Sequence, residues 1–353
     1  LAGQTFDVLV VGAGIYGACI ARDAAQRGLR TALIERDDFG ALTSHNSFKL
    51  VHGGLRYLQQ LDLSRLRQSA REQRIWLHIA PHLVEPLAFV MPTFGHGSPG
   101  PLALRLAMIA YELLSRGGAP VMPRVPPGRV VGKDEARRLL PGLDRPEMNG
   151  AAIWHDVQML NADRLLLECV IDAEGEGAVV ANHVEAEGWL GDADRITGVQ
   201  ARDRLGDQRF EIRAELTINA AGPLAGKLVA LLPGSPGEAF GGLSPGLNLV
   251  VRRQLTQGHA IAVSSRRRSD SLVPRADGRL FFIQPWQGLS LIGTSHLPHQ
   301  GDAAHFAFDE AWLADFLAEG NDAYPAAALT RADWPARLQR LRHGPLVDAA
   351  NPA

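Results

Sequence analysis

The N-terminal pattern of apolar and polar residues predicts a βαβ unit. Residues 6–11 form a continuous apolar run of strand length, which is typical of a strand covered on both faces. Residues 15–27 show the spacing of a helix, and Gly28 is its expected C-terminal stop. A second apolar strand is predicted at residues 31–35. This order of elements is the usual beginning of a parallel, doubly wound sheet.

After this unit the pattern alternates predicted helices with loops. Asp62 can cap a helix at its N-terminus, and Pro81 ends the same helix. A markedly apolar helix covers residues 102–114. The other predictions in this part are a strand around residues 87–91, a surface loop at 117–132 and a short helix at 133–140.

From Val179 onward the pattern changes to strands. Clusters of Gly and Asp separate three segments, as expected for an antiparallel meander. These segments are residues 179–190, 196–205 and 209–222, and further strands are predicted at 247–253, 279–286 and 289–295 before a helix at 309–317. Together with the N-terminus, the pattern predicts an α/β protein with a Rossmann-like domain and an inserted α+β domain built on an antiparallel sheet.

Composition narrows the functional classes. The net charge of −2 over 353 residues gives no reason to expect a nucleic-acid partner. Two cysteines make no disulfide framework and have no metal-site spacing with histidine, so we expect no metal ion. No signal peptide and no membrane-spanning run is predicted. We therefore expect the protein in the cytoplasm, or peripheral on the inner face of the cytoplasmic membrane.

A dinucleotide fingerprint connects the first strand to the first helix. In G-A-G-I-Y-G, Gly12 allows the tight turn, Gly14 lets the backbone approach a pyrophosphate, and Gly17 lets helix and strand pack closely. The helix N-terminus offers N–H groups to the phosphates. Glu35 ends the next strand and can accept hydrogen bonds from ribose hydroxyls. The fingerprint alone does not separate FAD from NAD.

Residues 43–58 carry the most specific motif, T-S-H-N-S-F-K-L-V-H-G-G-L-R-Y-L. With DVLVVGAGIYGACIARDAAQRG, APHLVEPLAFVMP, INAAGP and FFIQPW…LIGTSHLPHQGD, this motif resembles the FAD-dependent glycerol-3-phosphate dehydrogenases. Those enzymes belong to the wider D-amino-acid-oxidase-like flavoprotein group. The resemblance extends over roughly residues 5–346, in family order.

The resemblance implies oxidation of sn-glycerol 3-phosphate to dihydroxyacetone phosphate, with hydride transfer to flavin N5 and electrons passed to a quinone or other acceptor. His52 is the expected base or hydrogen-bond partner, Arg56 the expected phosphate ligand, and Tyr57 a substrate contact or pocket wall. The scarcity of lysine draws further attention to Lys49. The expected FAD contacts beyond the fingerprint and Glu35 are Arg36, Thr43, Ser44, Ser47, Lys49, Gly53, Gly54, Val184, Ala221, Gly222, Gly293 and Thr294.

The resemblance also implies a domain division. Residues 1–85 and 150–230 are the expected FAD-binding domain, and residues 86–149 and 231–330 the expected substrate or cap domain. Residues 331–353 are the expected start of a C-terminal segment that is incomplete in this chain, because the family continues into a G-G-K-x-T-T-like turn over the flavin.

The chain departs from the family pattern at three positions within its length. His45 replaces the second serine of T-S-S, and Phe48 replaces a small polar residue. Gly344 stands where the family has a substrate-binding arginine. Two other functions therefore remain open, namely an FAD-dependent oxidase or dehydrogenase of another small anion (a 2-hydroxy acid or an amino acid), and a flavin-binding protein without turnover.

The apolar helix at residues 102–114 has two interpretations. It either lies near a membrane surface, as a comparable region does in the resembled family, or belongs to the core of the second domain. The first interpretation suits a quinone acceptor and peripheral membrane contact. The sequence is also compatible with an oligomer.

Overall fold

The structure is a computed structural model. It describes residues 1–55, 57, 61–94, 101–115, 123–143, 145–235, 237, 244–265, 280–296 and 310–333. Arg56 and Gly344, two positions on which the sequence analysis places weight, lie outside the described residues.

Seven α-helices are present in the described part of the chain. They are α1 (Ile15–Gln26), α2 (Leu63–Ile79), α3 (Pro101–Ser115), α4 (Lys133–Leu139), α5 (Ala162–Gly175), α6 (Ala225–Ala230) and α7 (Glu310–Ala323). The predicted cap of α2 is confirmed, because the side chain of Asp62 accepts a hydrogen bond from the N–H of Arg65.

The same described ranges contain fourteen strands. They are β1 (Thr5–Val11), β2 (Thr31–Ile34), β3 (Leu50–Val51), β4 (Val84–Phe94), β5 (Arg129–Gly132), β6 (Met148–Met159), β7 (Val179–Ala181), β8 (Val184–Gly191), β9 (Ile196–Asp203), β10 (Arg209–Asn219), β11 (Gly246–Val251), β12 (His259–Ser264), β13 (Leu280–Trp286) and β14 (Leu289–His296).

The strands form two sheets. The first has the order β7-β2-β1-β10-β9-β8, in which β7, β2, β1 and β10 are parallel and the β10-β9-β8 side is the predicted antiparallel meander. The second has the order β11-β14-β13-β12-β4-β6-β3, with β5 also paired to β6. All its pairings are antiparallel except that of β12 with β4. The expected α/β class with a mainly antiparallel second sheet is therefore confirmed.

Each sheet has its own buried core. Helices α1 and α5 pack together on one face of the first sheet, where Ala18, Ala21 and Leu166 are buried with Val10. Helix α7 covers the second sheet with Trp312, Leu313 and Phe316. The small side chains of α1 allow this close packing of helix on sheet.

Some predicted elements were wrong or missing. The loop predicted at residues 117–132 ends in strand β5, which pairs with β6. Strands β6 and β12 and helix α5 have no counterpart among the predictions, although β6 is the longest strand in the described ranges. In the part of the chain that the structure describes, no helix combines the length and apolar character needed to cross a membrane.

Candidate active site

The fingerprint glycines are required by close backbone contacts. Gly12 has a φ of 103°, and a Cβ on it would lie 2.6 Å from the carbonyl oxygen of Ala220. A Cβ on Gly17 would lie 1.8 Å from the carbonyl oxygen of Gly12. The first turn of α1 thus packs against the β1 turn, and its N-terminal N–H groups lack partners within the helix. This geometry fits a pyrophosphate at the helix N-terminus.

Glu35 lies beside this turn. Its carboxylate accepts hydrogen bonds from the N–H of Ala13 (2.8 Å) and the N–H of Asp37 (3.0 Å). The N–H of Val184 donates to the main-chain carbonyl of Glu35 at 2.8 Å. The structure therefore brings together Val184 and the acid, as expected if one contacts adenine and the other ribose. Arg36 forms ion pairs with Asp37 and Glu185 at the same edge.

The T-I-N-A-A-G segment passes directly beside the fingerprint. Strand β10 pairs with β1 in parallel, with Asn219 opposite Val11, and the N–H of Ala220 donates to the Val11 carbonyl at 2.8 Å. Ala221 and Gly222 follow at the carboxyl end of the sheet. Ligands of open α/β sheets bind at this end, so both residues are placed where a dinucleotide contact is expected.

Residues 43–49 connect the fingerprint to the second sheet. The Oγ of Ser44 accepts a hydrogen bond from the N–H of Ile15 at 3.0 Å, in the first turn of α1. Thr43 is half-buried in the same segment. Lys49 is buried with a φ of 58°, and its Nζ donates to the carbonyl of His45. Burial lowers the pKa of Lys49, with the charge of Asp163 opposing the shift.

Two side chains that the sequence analysis missed hold this segment against the second sheet. Asn248 donates to the Asn46 carbonyl at 3.2 Å and accepts from the Oγ1 of Thr294 at 2.9 Å. Gln284 donates to the Phe48 carbonyl at 2.8 Å. A Cβ on Gly293 would lie 3.0 Å from the ring of Phe48, so Gly293 and Thr294 belong to the same cluster.

Several polar atoms in this cluster are buried without a hydrogen-bond partner in the described part of the chain. They include Ser47 Oγ, Gln284 Oε1 and the indole Nε1 of Trp286. The Nζ of Lys49 lies 5.6 Å from the Trp286 ring centre. Buried polar groups normally have hydrogen-bond partners. Several unpartnered donors and acceptors at one location therefore indicate a ligand with matching polar atoms. This observation fits the ring and ribityl groups of FAD.

Four side chains form a hydrogen-bond network around Gly53. Two of them, Asp156 and Tyr111, bond its main chain directly. Asp156 accepts hydrogen bonds from the N–H of Gly53 (2.6 Å), the amide of Gln73 (3.1 Å) and the indole of Trp154 (3.1 Å). The hydroxyl of Tyr111 donates to the Gly53 carbonyl at 2.9 Å. Burial raises the pKa of Asp156, and these hydrogen bonds oppose the shift.

The glycines of this motif leave room for those side chains. A Cβ on Gly53 would lie 2.2 Å from the Tyr111 hydroxyl and 2.6 Å from Gln73 Oε1. Gly54 has a φ of 78°, where a larger residue would be strained. Both glycines are expected FAD contacts by resemblance, and the structure adds this packing requirement.

His52, in the same loop, is exposed to solvent. Its ring faces the edge of the Tyr57 ring at a centroid distance of 6.1 Å. The charge of His52 contributes to lowering the pKa of Asp156, so the two groups are electrostatically linked. Arg56 stays a sequence-based expectation because it lies outside the described residues.

Three of the residues that sequence reasoning missed share one signal. Asn248 and Gln284 interrupt strands that are otherwise apolar, and Asp156 lies in a buried strand. A polar residue in an apolar strand must be satisfied on the folded chain, which makes it a candidate for holding a neighbouring loop. Gln73 and Tyr111, which lie on helices, give no comparable signal.

Comparisons with known proteins show the family of the chain. The model of a family described as FAD dependent oxidoreductase matches residues 7–351. A glycerol-3-phosphate dehydrogenase of Synechocystis sp. is 33% identical over 97% of this chain and 61% of that protein. An alpha-glycerophosphate oxidase of Streptococcus pneumoniae is 36% identical over 98% of this chain and 55% of that protein. The chain thus spans little more than half the length of these relatives.

Solved structures share the fold. A glycerol-3-phosphate dehydrogenase from Bacillus halodurans, complexed with FAD, has a TM-score of 0.70 and 27% identity over 94% of this chain and 56% of that chain. An L-proline dehydrogenase from P. horikoshii has a TM-score of 0.67 with 16% identity over 92% of this chain and 78% of that chain. The second likeness concerns the fold alone.

Proposed function

Because this chain belongs to the FAD-dependent oxidoreductase family, we propose that it oxidises sn-glycerol 3-phosphate to dihydroxyacetone phosphate. FAD is the cofactor of the family. The H-G-G-L-R-Y motif at residues 52–57, fixed on Asp156, is the observation that carries the proposal. Relatives at 33% and 36% identity are named for the same phosphorylated alcohol, which supports this choice of substrate.

The fingerprint and the segment after β2 are the proposed FAD site. Gly12, Gly14 and Gly17 give the pyrophosphate access to the N-terminus of α1, and Glu35 accepts from the ribose. Ser47 offers its buried hydroxyl to the cofactor. When bound, FAD supplies the hydride acceptor at flavin N5.

The proposed flavin-ring contacts come from the segment 43–49 and from β14. Thr43, Ser44 and Lys49 lie on the segment, while Gly293 and Thr294 lie on the strand. Lys49 is buried, and its lowered pKa reflects the cost of keeping an ammonium group away from water. Its Nζ donates a hydrogen bond to the His45 carbonyl.

The H-G-G-L-R-Y loop is the proposed catalytic element. Oxidation of a secondary alcohol requires removal of the hydroxyl proton while hydride leaves the same carbon. His52 is the proposed proton acceptor, and its exposed position allows the proton to pass to water. Arg56 is the proposed phosphate ligand, since a planar guanidinium bonds two phosphate oxygens at once. Tyr57, against His52, forms the wall that orients the imidazole.

We propose that electrons leave to a quinone or another acceptor and that α3 provides a peripheral membrane contact. Leu106, Ile109 and Leu113 are more than half exposed on this helix, while Met108 packs inward against the second sheet. An exposed apolar stripe on a surface helix is suited to lie in a membrane interface.

A comparison of phosphorylated and unphosphorylated substrate tests the proposed function. The FAD-loaded protein should oxidise glycerol 3-phosphate with a kcat/KM well above that for glycerol, measured with an artificial dye acceptor. A charged hydrogen-bonded pair is worth about 1.5–3 kcal/mol, so Arg56→Ala should reduce that preference about 10- to 150-fold by raising KM. The bound flavin should be retained. Equal rates with glycerol, or loss of flavin in Arg56→Ala, would contradict the assignment.

A further inference from the structure

A small cavity lies behind the H-G-G loop. It is bounded by α2, α3, the segment before β5, and β6, and it has a volume of about 50 Å³. Gln73 and Tyr111 line it, and the same two side chains hold Gly53 and Val51. The cavity therefore shares its wall with the proposed catalytic loop but is separate from the FAD and substrate residues described above.

Two arginines line this cavity from different elements. Arg74 comes from α2, and Arg124 comes from the segment before β5. The pKa of Arg74 is lowered by burial first and then by the charge of Arg124. Two guanidinium groups that repel each other across a cavity are stabilised by an anion between them.

The polar groups of the wall are incompletely satisfied. The Nε of Arg74 and the Nδ1 of His155 are both buried without a hydrogen-bond partner in the described part of the chain. A buried guanidinium N–H without an acceptor costs free energy of folding. Burial also lowers the pKa of His155, while a hydrogen bond to the Pro126 backbone and then the charge of Asp156 oppose the shift. An anion in the cavity would accept from Arg74 and favour a protonated His155.

Glu112 limits what the site can hold. Glu112 also lines the cavity, and its negative charge offsets part of the charge of the two arginines. The volume corresponds to a few water molecules, which is enough for a tetrahedral oxyanion and too small for a nucleotide.

We propose that Arg74, Arg124 and His155 form a second anion site that binds inorganic phosphate or the phosphate group of a small phosphomonoester. None of the residues that line the cavity is one of the proposed FAD or substrate contacts. Its occupant contacts the wall that holds Gly53, so binding stabilises the H-G-G loop in the described conformation.

Calorimetric titration of the FAD-loaded protein with inorganic phosphate tests the proposal. Arg124→Gln and Arg74→Gln should each weaken this binding at least tenfold, since each removes a charged hydrogen bond worth about 1.5–3 kcal/mol. Arg137→Gln, an exposed arginine on α4, is the matched control and should leave phosphate binding unchanged. Arg124 is exposed, so its replacement tests the site without disturbing the core.

The same titration must distinguish phosphate binding at the cavity from phosphate binding at the proposed substrate site. Arg56→Gln should leave one phosphate-binding event intact, and phosphate should still raise the unfolding temperature of that variant. At the same phosphate concentration the increase should be much smaller once Arg124→Gln is added. Binding that is unaffected by Arg74→Gln and Arg124→Gln, or that disappears with Arg56→Gln alone, would overturn the proposal of a second site.

Discussion

The main-chain N–H of Gly53 donates a hydrogen bond of 2.6 Å to the carboxylate of Asp156. These residues are far apart in sequence, yet the bond joins the proposed catalytic loop to strand β6 of the second sheet. The same carboxylate accepts hydrogen bonds from Gln73 and Trp154, so it joins the loop to both of these side chains. His52, the neighbour of Gly53, thus has a position that depends on β6.

Asp156→Asn is expected to loosen the loop. In the wild-type protein, Gly53 and Gln73 donate to one carboxylate oxygen and Trp154 donates to the other. An asparagine has only one acceptor oxygen, so the donors on one of these two sides would face its NH₂ group. The free energy of unfolding should fall by about 1–3 kcal/mol. We expect a lower kcat and a higher KM for glycerol 3-phosphate with FAD still bound, measured by steady-state kinetics and flavin absorbance.

Asp194→Asn, at an exposed position outside both sheets' cores, is the matched control. It should leave kcat, KM and the free energy of unfolding close to those of the wild-type protein. If Asp156→Asn behaved like this control, Asp156 would have no positioning role.

Gly17→Ala is expected to abolish retention of FAD. A Cβ at this position would lie 1.8 Å from the carbonyl oxygen of Gly12, so the turn and α1 would have to separate. Gly175→Ala is the control, because a Cβ there meets nothing within 4 Å and alanine is the better helix former. It should keep a full complement of flavin and gain up to about 1 kcal/mol in stability. Flavin-to-protein absorbance ratios measure both outcomes, and a flavin-loaded Gly17→Ala protein would refute the packing argument.

The local elements could be predicted because their causes are local. The apolar run of β1, the spacing of the fingerprint glycines and the Asp62 cap each act within a few residues. Strand β6 could not be recognised in the same way. Its residues pair with β3, β4 and β5, and their burial on both faces follows from tertiary contacts.

The sequence predicted the kind of site, a dinucleotide site, but only some of the residues that build it. Glycine positions and Glu35 follow from what a dinucleotide demands. The partners of Gly53 do not, because Gln73, Tyr111 and Asp156 meet only after two helices and β6 have packed. Asp156→Asn therefore tests a relationship that the motif alone does not contain.

The ion pair between His45 and Asp163 should make stability depend on pH. The hydrogen bond from His45 and then the charge of Lys49 hold the pKa of Asp163 below its usual range, against the effect of burial. A lowered folded-state pKa adds stability above the unfolded pKa of about 4, and this stability is lost as the pH falls through the folded pKa. Both side chains are partly exposed, so the contribution is about 0.2–1 kcal/mol.

Asp163→Asn should therefore reduce the free energy of unfolding at pH 6, measured by denaturant titration. The deficit should shrink as the pH falls below the unfolded pKa of about 4 and the wild-type carboxyl becomes protonated. A deficit that is constant from pH 6 to pH 3 would show that the substitution acts through something other than this charge.

The apolar face of α3 should govern membrane binding. The double variant Leu106→Gln and Ile109→Gln should bind anionic lipid vesicles about tenfold or more weakly in a co-sedimentation assay, since a fully buried aliphatic side chain contributes about 1.5–3 kcal/mol. Leu205→Gln changes a still more exposed leucine in the β9–β10 turn and is the control. Equal vesicle binding by all three proteins would exclude α3 as the contact.

Anaerobic reduction of the bound flavin tests the central claim most directly. The FAD-loaded protein should be bleached by sn-glycerol 3-phosphate within the time of a turnover, and dihydroxyacetone phosphate should appear in amounts equal to the flavin reduced. Glycerol, 2-hydroxy acids and amino acids at the same concentration should leave the flavin yellow. Bleaching by an amino acid or a 2-hydroxy acid but not by glycerol 3-phosphate would contradict the account.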